Sequence, residues 1–366
     1  MNLYNGDALS VLKTLDAESV QCCVTSPPYW GLRDYGVDPV VWDGVKGCRH
    51  KWGAEIISKS NDSNRGTMEW KTGGNPGAKT KGEKSVQGQF CQLCSAWKGC
   101  LGLEPTPELY VNHIVQIFRE VRRVLKKDGV LWMNLGDSYA GSTGQTGGQG
   151  LNTYQKEAGV TDKSLKPKDL IGISWMVAFA LRADGWWLRQ DIIWHKPNPM
   201  PESVKDRCTK SHEYIFLMSK SGKYYYDAEA IKEPLKESSI KRNQTGWDGD
   251  INRDYVNGAQ NHMNKYLGSD EAKEATHRNK RSVWTIPTKG FKKAHFATFP
   301  EKLVEPCILA GSKEGDIVLD PFSGAGTVGV VAKKNNREYI GIEVKEEYCD
   351  MARERIENTV YELSFL

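Results

Sequence analysis

A run of one serine, two prolines and one tyrosine, Ser26-Pro27-Pro28-Tyr29, follows a short apolar stretch that predicts a buried strand. The prolines fix φ and remove backbone N–H donors, so the carbonyl groups around them are held rigidly. A hydroxyl and a rigid carbonyl can hold both hydrogens of an amino group, and a tyrosine ring offers a flat face to a planar base. The run suits an exocyclic amine that attacks a methyl donor. On its own it would be interpreted as an ordinary proline-rich turn.

A second motif is the glycine-rich turn in the segment DIVLDPFSGAGTVGVVAKK, between a predicted strand and a predicted helix. Such turns bring backbone N–H groups at a helix N-terminus close to a ligand. Asp320 ends the first strand, and Glu343 ends the next strand, where a carboxylate can accept hydrogen bonds from ribose hydroxyls. Gly324, Gly326 and Gly329 also fit the pattern G-x-G-x-x-G, so the turn alone leaves NAD open. The negative charge of Asp320 favours a cationic sulfonium cofactor over a pyrophosphate.

Four candidate metal ligands, Cys48, His50, Cys91 and Cys94, lie in a segment with few apolar residues. The C-x₂-C spacing is a common zinc half-site, and thiolate and imidazole ligands suit tetrahedral zinc. A metal would supply folding energy that segment 43–100 lacks by itself. We predict a structural zinc site there, with Cys100 as an alternative ligand and free thiols on a loop as the competing interpretation.

The charge of the chain is small but unevenly distributed. The 366 residues include 50 Lys+Arg and 46 Asp+Glu, for a net charge of +4. Segment 231–293 holds 13 Lys/Arg against 8 Asp/Glu, so the rest of the chain is close to neutral. A basic, polar segment of this kind indicates either a local anionic partner or a solvated loop region.

Composition also excludes some protein classes. No apolar run approaches 18 residues, and the first ten residues lack a signal-peptide pattern, so we expect neither a membrane span nor secretion. Nine cysteines in a chain of this size are too few for a disulfide scaffold and are more typical of a cytoplasmic protein. The sequence is compatible with a monomer or a homodimer.

Strand-like and helix-like patterns alternate along the chain, which predicts a parallel α/β sheet with right-handed crossovers. One helix is predicted from Pro107 to Lys127, with Thr106 as its N-cap, followed by a strand from Val130 to Leu135. Two polar insertions, 43–100 and 231–290, lack the periodicity of core elements. The remaining segments are predicted to form one α/β core: 1–42, 101–230 and 291–366.

The motifs TSPPY and DPFSGAGT together resemble those of amino-methylating DNA methyltransferases that use S-adenosylmethionine (SAM). TSPPY comes first, which resembles the β-type motif order of this N4-cytosine and N6-adenine family. The resemblance extends from Asn5 to Glu343. It implies a Rossmann-like SAM-dependent methyltransferase sheet, with a parallel core and an antiparallel edge, that carries a zinc segment and a target-recognition segment.

The resemblance also implies roles for single residues. Ser26, Pro27, Pro28 and Tyr29 would form the catalytic turn. Asp7 would lie near the cofactor adenine, and Glu343 would bind the ribose. Trp194, His195, Lys196 and Pro197 are candidates for the pocket that receives the target base. The residues around the methionine part would be Phe299, Pro300, Asp320, Pro321, Phe322, Gly324, Gly326 and Thr327.

The partner implied by the resemblance is DNA, whose target base must be extruded from the duplex. In this family a serine at the first position of the catalytic motif usually accompanies N4-cytosine methylation, so Ser26 favours cytosine. N6-adenine methylation with the same residues is the alternative. A non-catalytic nucleic-acid-binding module is a further alternative, against which the intact Ser26–Tyr29 run argues. The basic segment 231–293 and the glycine-rich segment 140–165 are the candidates for target recognition.

Overall fold

A computed structural model describes residues 1–32, 34–59, 84–140, 165–166, 168–245, 274–288 and 299–360. The chain divides into two compact units, of which the first comprises Met1–Tyr225 with Val283–Leu366 and the second comprises Tyr226–Ser282. Most of the predicted glycine-rich recognition loop and the middle of the basic insertion lie outside the described residues.

The strands of the described chain are numbered in sequence order. They are β1 Asn2–Asn5, β2 Val20–Thr25, β3 Val40–Trp42, β4 Ile56–Lys59, β5 Lys84–Phe90, β6 Trp97–Gly99, β7 Leu125–Leu135, β8 Trp187–His195, β9 His212–Ser219, β10 Glu233–Pro234, β11 His277–Arg278, β12 Val283–Thr285, β13 Ile317–Asp320 and β14 Glu338–Glu343. The α-helices are α1 Ala8–Leu12, α2 Pro107–Val124, α3 Ile173–Ala183, α4 Glu237–Thr245, α5 Glu301–Gly311, α6 Thr327–Lys334 and α7 Glu346–Glu357. Within the described ranges, no helix has both the length and the apolar character needed to cross a bilayer.

The main sheet has eight strands in the order β1-β14-β13-β2-β7-β9-β8-β12. The strands from β1 to β7 in this order are parallel to their neighbours. β9 is antiparallel to both β7 and β8, and β12 is parallel to β8. This arrangement confirms the predicted α/β class with a parallel core and an antiparallel part.

The strand β2 lies in the middle of this sheet, between β13 and β7. All six of its residues, VQCCVT, are buried, as expected of a parallel strand covered on both faces. The strand ends before Pro27 and Pro28, which cannot donate to a ladder. Because β2, β13 and β14 run in the same direction, their last residues, including Asp320 and Glu343, meet at one edge of the sheet.

The longest helix, α2, begins as the sequence predicts. The side chain of Thr106 accepts a hydrogen bond from the backbone N–H of Leu109, and Pro107 occupies the first turn. Its end differs from the prediction, since the helix stops at Val124 and not at Lys127. Leu125 is already extended, with φ −66° and ψ 140°, and pairs with Val20 at the start of β7. Sheet pairing therefore overrides the helical pattern over the last three predicted residues.

A second, four-stranded sheet in the order β3-β6-β5-β4 joins β3, just before the predicted insertion 43–100, to three strands inside it. The expectation that this segment stays out of the core is wrong for Trp97, and Phe90 packs against the same hydrophobic cluster. Trp97 is fully buried and belongs, with Trp42, to the main hydrophobic cluster. Two glycines make room for its indole, since a Cβ on Gly99 would lie 2.1 Å from the ring and a Cβ on Gly88 would lie 2.6 Å from it.

The second unit contains a short antiparallel pair, β10 with β11, and the helix α4. Arg278 and Arg281 both donate to the same carboxylate oxygen of Glu233, at 2.9 and 2.6 Å. This unit overlaps the predicted recognition insertion 231–290. The overlap ends before β12, which is an edge strand of the main sheet.

Candidate active site

The two motifs meet at the carboxyl edge of the main sheet. β2 pairs with β13, and Thr25, the last residue of β2, donates its hydroxyl to Oδ1 of Asp320 at 2.6 Å. The Ser26–Tyr29 run and the glycine turn therefore follow two strands that are paired with each other. An amine held by the first motif and a cofactor held by the second would be adjacent.

The glycine turn is shaped by two left-handed residues. Gly326 is the N-cap of α6 with φ +74°, and a Cβ there would lie 2.7 Å from Cβ of Ala352. Gly324 has φ +49°, and a Cβ there would meet nothing nearer than 4.0 Å. Gly326 is thus required for close packing on α7, whereas open space for a ligand remains beside Gly324.

Two carboxylates lie beside this turn. Asp320 is almost fully buried and accepts hydrogen bonds from Thr25 and from the backbone N–H of Phe322 at 3.0 Å. Burial raises the pKa of Asp320 to about 7, against the effect of these donors, and the charge of Glu343 raises it further. Glu343 accepts backbone N–H groups from Gly324 and Lys345, each at 2.9 Å, and burial raises its pKa as well. A carboxylate offers about four lone-pair positions, so Glu343 can still accept from hydroxyl groups.

The other predicted cofactor residues surround the same edge. Asp7 caps α1 by accepting from N and Oγ of Ser10 at 2.9 and 2.8 Å. It lies beside Glu343, whose carbonyl accepts the N–H of Gly6 at 2.9 Å. Phe299, which precedes Pro300 and α5, lines a small cavity together with Thr25. The carboxylates beside this open turn form a set of hydrogen-bond acceptors that fits a cationic nucleoside such as SAM. The remaining members lie in the glycine turn itself: Pro321, Phe322 and Thr327.

The predicted catalytic turn, Ser26–Tyr29, is held by side chains from three other strands or helices. Tyr110 of α2 donates its hydroxyl to the carbonyl of Pro28 at 2.8 Å. The hydroxyl of Tyr29 lies 2.9 Å from Oδ1 of Asn134 and 2.9 Å from Oε2 of Glu213, and Oγ of Ser26 donates to it at 3.4 Å. Burial and the charge of Glu213 raise the pKa of Tyr29 well above its usual value, so the tyrosine stays protonated.

Asn134 and Glu213 are absent from the set of residues predicted from the sequence. Nδ2 of Asn134 donates to Oε2 of Glu213 at 3.2 Å and to the carbonyl of Tyr214 at 3.0 Å. The other oxygen of Glu213 binds the ammonium group of Lys196, which also lies 4.2 Å from the ring centroid of Trp194. The sequence offers one signal for them. Asn134 in LWMNL and Glu213 in HEYIF are polar residues near one end of a largely apolar strand.

The candidates for the base pocket differ in their surroundings. Lys196 joins the network around Tyr29 through Glu213. Trp194 is only 4% exposed and donates its indole N–H to the carbonyl of Ile286 at 2.8 Å. The indole of Trp194 is therefore held by the segment that follows β12, whereas Pro197 is exposed beyond the end of β8.

Gly136 allows the ring of Tyr29 to take its position, because a Cβ there would lie 2.5 Å from Cε2 of that ring. We expect Gly136→Ala to displace the ring and to lower kcat by about tenfold to 100-fold, since small misplacements of reacting groups are costly. The Kd for SAM should stay unchanged. Steady-state kinetics with isothermal titration of SAM measures both quantities. Gly44→Ala, whose Cβ would meet Val41 at an ordinary 3.4 Å, is the control, and equal kcat values for the two variants would contradict this assignment.

The four predicted metal ligands converge although about forty residues separate the two halves of the site. Their ligand atoms all lie within 4.8 Å of one another, with Sγ of Cys48 and Cys91 4.0 Å apart and Sγ of Cys94 3.4 Å from Nδ1 of His50. Sulfurs bound to one tetrahedral zinc lie about 3.8 Å apart. Cys100 is not in the cluster, and its thiol donates to the carbonyl of Val37.

The thiols of the cluster differ in how easily they ionise: the hydrogen bond to Cys94 raises the pKa of Cys48 to about 12, whereas ionisation of Cys91 is favoured. Burial opposes its ionisation, but donors around the sulfur outweigh this effect and lower its pKa to about 6. The backbone N–H of Leu93 is one of these donors, at 3.4 Å, and His50 is another. A thiolate at neutral pH is the form that binds zinc.

Comparison with known proteins places the whole chain in one family. A family model described as DNA methylase, for the N6 and N4 type, matches residues 20–354. The chain is 40% identical over 358 residues to the type II methyltransferase M.Cfr9I of Citrobacter freundii, with 97% of this chain and 87% of the relative covered. It is 39% identical over 355 residues to the type II methyltransferase M.SmaI of Serratia marcescens, with 96% and 89% covered.

Solved structures share the fold. The cytosine-N4-specific PvuII DNA methyltransferase matches with a TM-score of 0.53 and 17% identity over 98% of this chain and 87% of that one. A putative DNA modification methylase of Thermus thermophilus, solved in complex with S-adenosyl-L-methionine, matches with a TM-score of 0.51 and 20% identity over 98% and 94%. Because the family model matches residues 20–354 and two relatives are near 40% identical, the chain belongs to the N6/N4 DNA methylase family and is a DNA methyltransferase.

Proposed function

We propose that this enzyme transfers the methyl group of SAM to the N4 amine of cytosine in DNA, and that Ser26, Pro27, Pro28 and Tyr29 form the catalytic turn. The observation that carries the proposal is the position of this turn, one hydrogen bond from the acidic strand end at Asp320. Ser26 at the head of the turn supports cytosine over adenine. The PvuII enzyme, which shares this fold, is cytosine-N4-specific.

The residues of the turn have distinct tasks in this proposal. SAM, when bound, supplies an electrophilic methyl group on a sulfonium sulfur. The Pro28 carbonyl is engaged by Tyr110, so the Pro27 carbonyl and the Ser26 hydroxyl are assigned to the two hydrogens of the target amine. Holding both hydrogens directs the nitrogen lone pair at the methyl carbon. As the N–C bond forms, the C–S bond to the sulfonium breaks to leave a neutral thioether, and one of the two held protons is released to solvent past the Ser26 hydroxyl. The ring of Tyr29, whose hydroxyl is tied to Asn134 and Glu213, is the stacking face.

The target base must leave the duplex to reach this turn, which costs a few kcal/mol of stacking and pairing energy. Contacts to the DNA backbone must offset that cost. Around α4, the basic side chains of Lys236, Lys241 and Arg242 are exposed, and we assign them to phosphate contacts. The choice of recognition sequence is assigned to the insertion 231–290, together with segment 140–165.

Transfer of labelled methyl groups from SAM to unmodified duplex DNA tests the catalytic assignment. We expect label in the DNA, and we expect none when SAM is replaced by its demethylated product. A protein that binds DNA but transfers no label to any duplex or single strand would be a binding module, and the catalytic proposal would be wrong.

We also propose that Cys48, His50, Cys91 and Cys94 hold one structural zinc ion. The proposal is supported by the convergence of two thiol-bearing segments and by the low pKa of Cys91. The ion would fasten the loop after β3 to the turn between β5 and β6. This loop and this turn have few apolar side chains that could hold them together.

Metal analysis tests the zinc assignment. Purified protein should contain about one zinc per chain, and Cys91→Ser should lose most of that zinc and melt at a lower temperature. Cys208→Ser is the matched control, because Cys208 is an exposed free cysteine outside the cluster. A metal-free protein after gentle purification, or a Cys91 variant with full zinc content, would contradict the site.

A further inference from the structure

One buried histidine is used neither by the catalytic turn nor by the metal cluster. The side chain of His113, on α2, is fully buried. Nδ1 of His113 lies 3.0 Å from Oε1 of Glu104, and Nε2 lies 3.2 Å from Oδ2 of Asp43. The imidazole is stacked between two indoles, with centroids 4.4 Å from Trp42 and 5.3 Å from Trp97. Two carboxylates and two aromatic faces thus enclose a single ring.

Burial of these polar groups costs folding free energy unless each of them keeps its hydrogen-bond partner. Glu104 is as buried as His113, and a buried carboxylate needs a paired charge or hydrogen-bond donors. Each ring nitrogen lies within hydrogen-bond distance of a carboxylate oxygen, and the two indoles cover the faces of the ring. Removing the imidazole would leave Glu104 without its side-chain partner, so Glu104 would have to move or bind water.

Glu104 connects the histidine to the catalytic turn. Its second oxygen, Oε2, accepts the backbone N–H of Gly102 at 2.7 Å, and its carbonyl accepts the indole N–H of Trp30 at 2.8 Å. The carbonyl of Gly102 in turn accepts the backbone N–H of Gly31 at 2.9 Å. Gly102 has φ +90°, and a Cβ on it would lie 3.3 Å from Cβ of Pro28. The residue after Tyr29 and the one following it are therefore hydrogen-bonded to the segment that His113 holds.

We infer that His113 is a positioning residue for methyl transfer, which fixes the C-terminal side of the Ser26–Tyr29 turn through Glu104 and Gly102. The inference rests on the proposed catalytic role of that turn. It also assigns a task to the small sheet, since Trp42 of β3 and Trp97 of β6 clamp the imidazole. In this inference the small sheet affects the rate of methyl transfer by holding the imidazole that positions the turn.

The test uses the full-length enzyme and two matched substitutions on one face of α2. His113→Phe keeps a flat ring between the indoles but removes both hydrogen bonds. Gln116→Ala removes a hydrogen bond of 2.7 Å to the same Asp43 and leaves Glu104 untouched. Rates are divided by the number of SAM-binding sites measured by titration, so that unfolded molecules do not contribute.

We expect His113→Phe to lower kcat at least tenfold, with the Kd for SAM within twofold of wild type and with Gln116→Ala unchanged. Glu104→Gln, which can still accept from Gly102, should retain most of the rate that Glu104→Ala loses. Wild-type kcat in folded His113→Phe, or equal loss in Gln116→Ala, would overturn the inference. Tyr29→Ala is assayed alongside, because a fully active Tyr29 variant would instead overturn the proposed catalytic turn.

Discussion

Tyr29→Ala is expected to lower kcat for DNA methylation by at least about 100-fold, which corresponds to about 2.7 kcal/mol of transition-state stabilisation. The substitution removes the stacking face for the extruded base, and stacking on an aromatic ring contributes about 1–3 kcal/mol per base. It also leaves Asn134 and Glu213 without the hydroxyl that they share. The Kd for SAM should change less than about twofold, because the glycine turn and its carboxylates are unaltered.

Tyr29→Phe separates the two contributions of this residue. The variant keeps the ring but loses the contacts to Asn134 and Glu213, each at 2.9 Å. We expect an intermediate loss of about tenfold, within the range for a removed charge-assisted hydrogen bond. Single-turnover rates with SAM titration measure both variants. Loss of SAM binding in Tyr29→Ala, or full activity, would show that the ring does not have the assigned role.

Asp320→Asn is expected to weaken SAM binding by about tenfold or more at pH 8. The carboxylate has a pKa of about 7, so it is ionised at pH 8 and attracts a cationic ligand. It becomes neutral as the pH falls through 7, and the affinity of the wild-type enzyme should fall by up to about tenfold per pH unit below that value. The asparagine variant lacks this titration, so its Kd should vary much less between pH 8 and pH 6.

The hydroxyl of Thr25 provides an internal check on that prediction. It donates to Oδ1 of Asp320 at 2.6 Å and lowers the pKa of that carboxyl against the effect of burial. Thr25→Val keeps the shape of the side chain and removes the donor, so the pH midpoint of SAM binding should move upward. Glu343 also has a raised pKa, and Glu343→Gln measures how much Glu343 contributes to the pH dependence of SAM binding. An Asp320→Asn enzyme with the wild-type pH profile would contradict the assignment.

The sequence predicts most of the parallel core because each element has a strong local signal. β2 is an uninterrupted apolar run that ends at two prolines, and α6 begins at a glycine turn that packs on Ala352. These signals depend on residues near one another in the chain. The end of α2 is mispredicted because pairing of Leu125 with Val20, a contact distant in sequence, decides the conformation there.

The unpredicted part of the site also depends on long-range pairing. Asn134 and Glu213 are separated by 79 residues and meet because β9 runs antiparallel to β7 and brings its first residues to the carboxyl edge. No local pattern reveals that reversal. The proposed metal ligands differ, since their residue types predict the cluster that the structure shows, although the sequence does not predict the fold that joins them.

Identification of the methylated nucleoside tests most directly which base receives the methyl group. Unmodified DNA incubated with the enzyme and SAM is digested to nucleosides, which are separated and identified by mass spectrometry, with Tyr29→Ala assayed in parallel. We expect N4-methyl-2′-deoxycytidine with the wild-type enzyme, and formation of the same nucleoside at least about 100-fold more slowly with the variant. N6-methyl-2′-deoxyadenosine as the only product would contradict the assignment to cytosine, and the absence of any methylated nucleoside would contradict the catalytic turn itself.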